Sequence, residues 1–153
     1  MSDPTPTPDT HADTWRGIDL TRIGEGRYKA TNQRGGIVPI GSGEDPDFTP
    51  VELLLAALAG CAGVTVDELT SRRAQPVSFD VSAAGHKVRD EGGSHLVGLT
   101  VTFDVVFPEG EAGDQARAFL PRAVQQTHER ICTVSRTVTL GEPVDYVIAE
   151  DRA

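Results

Sequence analysis

Two cysteines, Cys61 and Cys132, are the residues of this 153-residue chain with the most distinctive chemistry. A free cysteine is either a small core hydrophobe or, as a thiolate, a nucleophile and metal ligand. Cys61 lies in an apolar run beside Gly60 and Gly63, which each cost about 1 kcal/mol inside a helix. Such small residues leave space for another backbone or a ligand near the sulfur. An inert core thiol and a reactive one therefore both remain open.

Cys132 stands at the junction of two predicted elements. It follows a segment with helical spacing and precedes Thr133–Leu140, which is ambiguous between a short helix and a strand. If a helix begins after Cys132, its free N–H groups favour a thiolate there. The two thiols can meet only if the second helix packs across the first.

A metal site is the minor alternative for these residues. His128 and Cys132 are four apart, the spacing of two ligands on one helix face, and Cys61 makes a third. Structural zinc sites take four protein ligands, and no fourth is evident. We therefore predict neither a metal nor another cofactor.

The helix that must position Cys61 begins with a clear signature. Thr49 is a good N-cap, Pro50 suits the first helical position, and Glu52 completes a capping box. Residues 51–66 are almost entirely apolar, which predicts a helix buried on every side. A chain of this size has difficulty covering such a helix alone, whereas an intertwined homodimer would cover it.

The other segments predict mainly antiparallel strands. Arg27–Thr31 and Ile37–Ile40 alternate as a hairpin, and Val77–Ala83 with Leu96–Phe107 form a longer one. A final strand is predicted over Val144–Ile148 after a Gly-Glu-Pro turn.

A second helix is predicted from Asp114 to Ile131, with a bend or restart at Pro121. Hairpins combined with helices laid on one side indicate an α+β fold.

Composition narrows the classes of function. The formal net charge is −9 and no basic run occurs, which argues against nucleic acid and against an anionic membrane surface as partners. No window has the roughly 18 apolar residues of a spanning helix, and the N-terminus lacks the features of a signal peptide. We expect a cytoplasmic protein with a disordered tail over residues 1–14 and a single domain over residues 15–153.

Two motifs resemble one known family. Thr49–Cys61, TPVELLLAALAGC, is similar to the central-helix motif of the OsmC/Ohr family, named for osmotically inducible protein C and organic hydroperoxide resistance protein. Cys132–Val144, CTVSRTVTLGEPV, is similar to its second-cysteine motif, and the pattern is closest to the general OsmC-like branch. The resemblance implies an α+β fold in which antiparallel sheets wrap two central helices in an intertwined homodimer.

The resemblance also implies an activity, the reduction of organic hydroperoxides by a cysteine pair. Cys61 corresponds to the peroxidatic cysteine and Cys132 to the resolving one. Arg34, at the tip of the first hairpin, corresponds to the arginine that activates the thiolate, supplied by the other subunit, and Arg27 is the weaker candidate. Glu52 is either the acid that orients this arginine or only a helix cap.

The partners implied are a small hydroperoxide and an external dithiol reductant. The alternative on the same fold is a protein without enzymatic activity that senses redox state or binds a small molecule.

Overall fold

The computed structural model of the protein describes residues 14–149. Residues 1–13 of the predicted disordered tail lie outside this range. Contacts divide the chain into two compact units, Met1–Glu52 and Leu53–Ala153, which are described separately. The single domain predicted over residues 15–153 stays a prediction.

The first unit contains a three-stranded antiparallel sheet. Its strands are β1 (Asp19–Gly24), β2 (Arg27–Thr31) and β3 (Ile37–Ile40), paired in chain order. Arg34 lies in the turn between β2 and β3, where Asn32 Oδ1 accepts the Arg34 backbone N–H at 3.0 Å. The predicted hairpin with Arg34 at its tip is confirmed.

Helix α1 spans Pro50–Ser71 and begins with the predicted capping box. The backbone N–H of Thr49 donates to Glu52 Oε2 at 2.8 Å, and the N–H of Glu52 donates to Thr49 Oγ1 at 3.3 Å. Two of the N–H groups that a helix start leaves without partners are thereby satisfied reciprocally.

Burial of α1 is one-sided within the single chain. Leu58, Ala62, Val66 and Thr70 are buried, and their spacing of four marks one helix face, whereas Val64 is 72% exposed. The prediction of burial on every side is therefore wrong for one chain. A lone chain offers this helix one layer to pack on, and the rest of its apolar surface stays uncovered.

Helix α1 also meets the length and composition of a membrane span. It has 22 residues, and its most apolar window has a mean hydropathy of 1.5. The prediction that no window is apolar enough is therefore wrong. These two properties are shared by the core helices of α+β proteins, so they do not by themselves indicate a membrane.

The second unit is built on a two-stranded antiparallel hairpin. Strands β4 (Ser78–Asp90) and β5 (Gly93–Val106) run to a two-residue turn, so both are longer than predicted. The Phe79 and Phe103 rings pack edge to face with centroids 6.3 Å apart on the more buried face of this hairpin. Helix α1 approaches that face at Gly63, where a Cβ would lie 3.4 Å from Val81 Cγ2.

Two helices and a π-helical segment follow the hairpin. Helix α2 spans Glu111–Gln126, the π-helical segment spans Thr127–Ile131, and α3 spans Thr133–Leu140. Helix α2 starts three residues before the predicted Asp114 and continues through Pro121 without a restart. The guanidinium of Arg73, two residues beyond α1, stacks 3.6 Å from the centroid of the Phe119 ring on α2.

The predicted last strand over Val144–Ile148 is wrong for the single chain. Residues 142–149 have no regular secondary structure, and Tyr146 is 94% and Ile148 96% exposed. A strand forms only where a neighbouring strand takes its backbone hydrogen bonds, and the described chain pairs none with this segment. The α+β fold class, with antiparallel sheets and three helices, is confirmed.

The cap of α1 gives a test of the fold. Thr49→Ala removes the hydroxyl that accepts the Glu52 N–H, so we expect the free energy of unfolding to fall by about 1 kcal/mol. Glu52→Gln keeps an acceptor at the same place, so its free energy of unfolding should fall by less. Urea unfolding followed by circular dichroism measures both, and an equal loss in the two variants would contradict the assignment.

Candidate functional site

The two cysteine thiols are neighbours in the second unit, although 71 residues separate them in sequence. Both are free, Cys61 half-buried in the middle of α1 and Cys132 fully buried at the start of α3. The Cys61 thiol lies close enough to Cys132 to raise the pKa of the Cys132 thiol. A partly accessible thiol beside a second free thiol is an arrangement in which a disulfide can form and exchange.

Local backbone geometry places Cys132. The π-helical segment closes with the Cys132 N–H donating to the Thr127 carbonyl at 2.9 Å. Cys132 is extended, with φ −69° and ψ 104°, and its Sγ accepts the Ser135 N–H at 3.4 Å. Its sulfur is therefore the N-cap of α3, while Gly141, in the left-handed region with φ 65°, ends the helix.

The electrostatics of Cys132 favour the neutral thiol. Burial raises its pKa above the ordinary value of 9.0, and the neighbouring Cys61 thiol raises it further. The backbone N–H groups of Ser135 and Val134 lower the pKa, which is the direction expected of a helix start. The pKa is nevertheless raised overall, because burial and Cys61 together have the larger effect.

A cavity of about 230 Å³ lies against Cys132 within the second unit. Its walls are mostly apolar side chains from α1, β5 and α2: Leu58, Ala62, Leu99, Val101, Phe103 and Val124. Cys132 lines this cavity and Cys61 does not. The cavity is therefore lined by Cys132 and not by Cys61.

The cavity lining also includes polar residues. These are Thr127, His128, Ser135 and Thr139, and His128 Nδ1 lies 3.3 Å from Ser135 Oγ. His128 thus pairs with a hydroxyl instead of forming a ligand set with Cys132. Among residues 14–149, no group of three or more His, Cys, Asp or Glu side chains could hold a metal ion.

The glycines near Cys61 leave space, as expected. Gly63 permits the contact between α1 and β4, whereas Gly60 faces open space, because a methyl group added at its Cα would have no atom within 4 Å. Ala59, Gly60 and Gly63 line an open groove, and Ala62 lines the cavity beside Cys132. Cys61 itself lines neither of these two spaces.

The other predicted site residues lie in the first unit. Arg34 is exposed, and its guanidinium forms no ion pair with any described residue. Arg27 is instead held by the loop after β3, at 3.5 Å from Asp45 Oδ2 and 3.6 Å from Asp47 Oδ2. Of the two arginines, Arg34 is the one whose charge is available. The Glu52 carboxylate is engaged in the helix cap.

Comparison with known proteins decides the family. A sequence profile described as OsmC-like protein matches residues 41–147. The chain belongs to the OsmC-like family. A relative from Mycobacterium tuberculosis, an uncharacterized protein, is 33% identical over 134 residues, which cover 86% of this chain and 94% of the relative.

Solved structures of OsmC-like proteins share the fold. An OsmC-like protein of unknown function from Vibrio cholerae has a TM-score of 0.67 at 14% identity, over 80% of this chain and 92% of that one. The organic hydroperoxide resistance protein OhrB of Bacillus subtilis has a TM-score of 0.52 at 19% identity, over 80% and 90%. At such identities the likeness shows the fold alone.

Thr127 was not among the predicted site residues. The helical period through Leu120, Val124, Thr127 and Ile131 nevertheless places it on the inward face of the second helix, and Thr127 is buried. Its polar environment depends on the π-helical segment, and a single wide turn has no recognisable sequence pattern.

The raised pKa of Cys132 predicts how stability depends on pH. The folded protein holds the Cys132 thiol proton more tightly than the unfolded chain does. This difference stabilises the fold fully below the pKa of the unfolded chain, and the stabilisation is lost as the pH rises through the pKa of the folded state. Under reducing conditions, wild type should therefore lose unfolding free energy more steeply than Cys132→Ala as the pH rises above about 8, where an unfolded cysteine begins to ionise. Urea titrations across this range measure the difference, and parallel curves would contradict the prediction.

Proposed function

We propose that this OsmC-like protein is a thiol-dependent peroxidase that reduces organic hydroperoxides to alcohols. The observation that carries the proposal is the pair of adjacent free thiols, one half-buried on α1 and one buried at the start of α3. Family membership supports a role in peroxide-related redox chemistry.

The first step is nucleophilic attack by Cys61. Its thiolate attacks the distal oxygen of the hydroperoxide, the O–O bond breaks, and the alkoxide takes a proton and leaves as the alcohol. Cys61 is oxidised to a sulfenic acid. The half-buried position of Cys61 suits this role better than the buried position of Cys132, because the peroxide must reach the sulfur.

The second step resolves the sulfenic acid. The Cys132 sulfur attacks the Cys61 sulfur, a disulfide forms, and the hydroxyl leaves with the Cys132 proton as water. An external dithiol then reduces the disulfide by exchange and is itself oxidised to a disulfide. Because burial keeps Cys132 protonated, it does not compete with Cys61 for the peroxide.

We further propose that the working form is an intertwined homodimer. The uncovered face of α1 at Val64 and the exposed, alternating segment Val144–Ile148 are apolar surfaces that a second copy could cover. In such a dimer Arg34 of one subunit stabilises the Cys61 thiolate of the other. We also place the protein in the cytoplasm, where adjacent thiols stay reduced between turnovers.

Turnover tests the proposed peroxidase. With cumene hydroperoxide and excess dithiol, wild type should consume many equivalents of peroxide per chain. Cys61→Ser should lower the rate by about a thousandfold or more, since it removes the nucleophile. Cys132→Ser should still form the Cys61 sulfenic acid, which dimedone traps and mass spectrometry detects.

The opposite outcomes are equally definite. A wild type that forms one disulfide and then stops consuming peroxide is a sensor, the alternative function on this fold. Survival of both thiols in a modest excess of peroxide would exclude both functions.

Hybrid dimers test the role of Arg34 and the homodimer together. We expect Arg34→Gln and Cys61→Ser each to be nearly inactive, because each lacks one group of the site. After the two are unfolded, mixed and refolded, random pairing should restore about a quarter of wild-type activity, since half of the dimers then hold one complete site. Arg22→Gln, which changes another exposed arginine of the first unit, is the matched control and should stay active.

Recovery would fail if Arg34 acted on the cysteine of its own chain, because no hybrid then contains a complete site. Full activity of Arg34→Gln alone would remove Arg34 from the mechanism.

A further inference from the structure

The first turn of α3 is held by a weak cap. The side chain at its N-cap is Cys132, and the sulfur accepts the Ser135 N–H at 3.4 Å. A thiol sulfur is a weak hydrogen-bond acceptor, and it becomes a stronger one only when it carries the charge of a thiolate. A helix of eight residues adds little stability of its own. The N–H that reaches the Cys132 sulfur therefore needs further contacts to keep it in place.

A side-chain hydrogen bond supplies such a contact. His128 belongs to the π-helical segment, and its Nδ1 lies 3.3 Å from the Oγ of Ser135. This bond joins the element before Cys132 to the element after it. Ser135 thus makes two contacts, since its backbone N–H is on the sulfur and its hydroxyl is on the histidine. His128, Cys132 and Ser135 also line the same cavity.

A second contact between the same two elements does not involve Ser135. Arg136 Nη1 donates to the Glu129 carbonyl at 2.8 Å. The backbone N–H of Arg136 donates to the Cys132 carbonyl rather than to the sulfur. The Arg136 contact therefore attaches α3 to the π-helical segment, whereas the His128 contact acts on the residue that donates to the sulfur.

We propose that His128 and Ser135 are positioning residues for Cys132. Their side-chain hydrogen bond holds the first turn of α3 so that the Ser135 N–H stays on the Cys132 sulfur. This N–H favours the thiolate, because it lowers the pKa of Cys132 against the larger effects of burial and Cys61.

In turnover this role rests on the proposed function, because it concerns the step that resolves the sulfenic acid. In that step the Cys132 sulfur bonds to the Cys61 sulfur, the S–O bond of the sulfenic acid breaks, and the hydroxyl leaves with the Cys132 proton as water. Cys132 must lose its proton there, so a contact that favours its thiolate speeds the closure of the disulfide.

Titration of the thiol tests the role without any peroxide. In reduced protein that carries Cys61→Ala, Cys132 is the single cysteine, so the ¹³C chemical shift of its labelled Cβ reports its ionisation. His128→Leu and Ser135→Ala should each lower the acid dissociation constant of this thiol by about threefold to tenfold, the loss expected for one hydrogen bond. His128→Asn places an amide atom near the position of Nδ1 and should restore most of the difference. Because asparagine is uncharged, this rescue separates the hydrogen bond from an effect of charge.

Matched variants locate the effect. His86→Leu removes an exposed histidine of β4 and should leave the dissociation constant unchanged. The double variant with His128→Leu and Ser135→Ala should lose no more than either single variant, because both changes remove the same bond. Circular dichroism and thermal unfolding show that each variant is folded.

Single-turnover kinetics connect the role to the proposed reaction. In protein with both cysteines, His128→Leu should slow closure of the disulfide by about threefold to tenfold and leave formation of the Cys61 sulfenic acid unchanged. If wild type forms no sulfenic acid, the proposed function fails, and the thiol titration still decides the positioning role.

Several results would overturn the proposal. One is an unchanged dissociation constant in folded His128→Leu. Another is an asparagine variant that behaves like the leucine variant, and a third is a double variant whose loss is the sum of the two single losses. Unchanged disulfide closure in His128→Leu would remove the role from turnover.

Discussion

The rest of the site depends on the burial of the Cys132 side chain. Its side chain is fully enclosed beside Cys61, and this enclosure is possible because the chain widens into a π-helical turn before it and starts a new helix after it. Desolvation, together with the neighbouring Cys61, then raises the pKa of Cys132 although two backbone N–H groups lower it. The two thiols are consequently unlike each other, since one is accessible and the other is sheltered.

Much of this arrangement could be predicted from short-range patterns. The capping box at Thr49 and the first hairpin were predictable, because caps and tight turns depend on a few adjacent residues. The meeting of Cys61 with Cys132 could be suspected from the family resemblance. It could not be derived from spacing, since the contact of two residues 71 positions apart is set by the tertiary packing.

The errors share a physical origin. The pattern at Val144–Ile148 predicts a strand, but a strand needs a second strand to take its hydrogen bonds. The apolar residues around α1 predict a buried helix, but such a helix needs a second layer to cover it. In both cases the sequence encodes surface that one chain leaves exposed. At Cys132 the helix start lowers the pKa as expected, but the pKa is raised overall for a different reason. A helix start is visible in the sequence, whereas the depth at which it is buried depends on the whole tertiary packing.

One sulfur atom combines two duties in this fold. Cys132 Sγ accepts the Ser135 N–H and so holds the first turn of α3, a helix of eight residues. Isolated helices of this length are not stable in water, so α3 depends on its end contacts and its packing. Any change in the covalent state of that sulfur is also a change at the anchor of a helix. Oxidation of this sulfur would therefore also alter the cap that orders the first turn of α3.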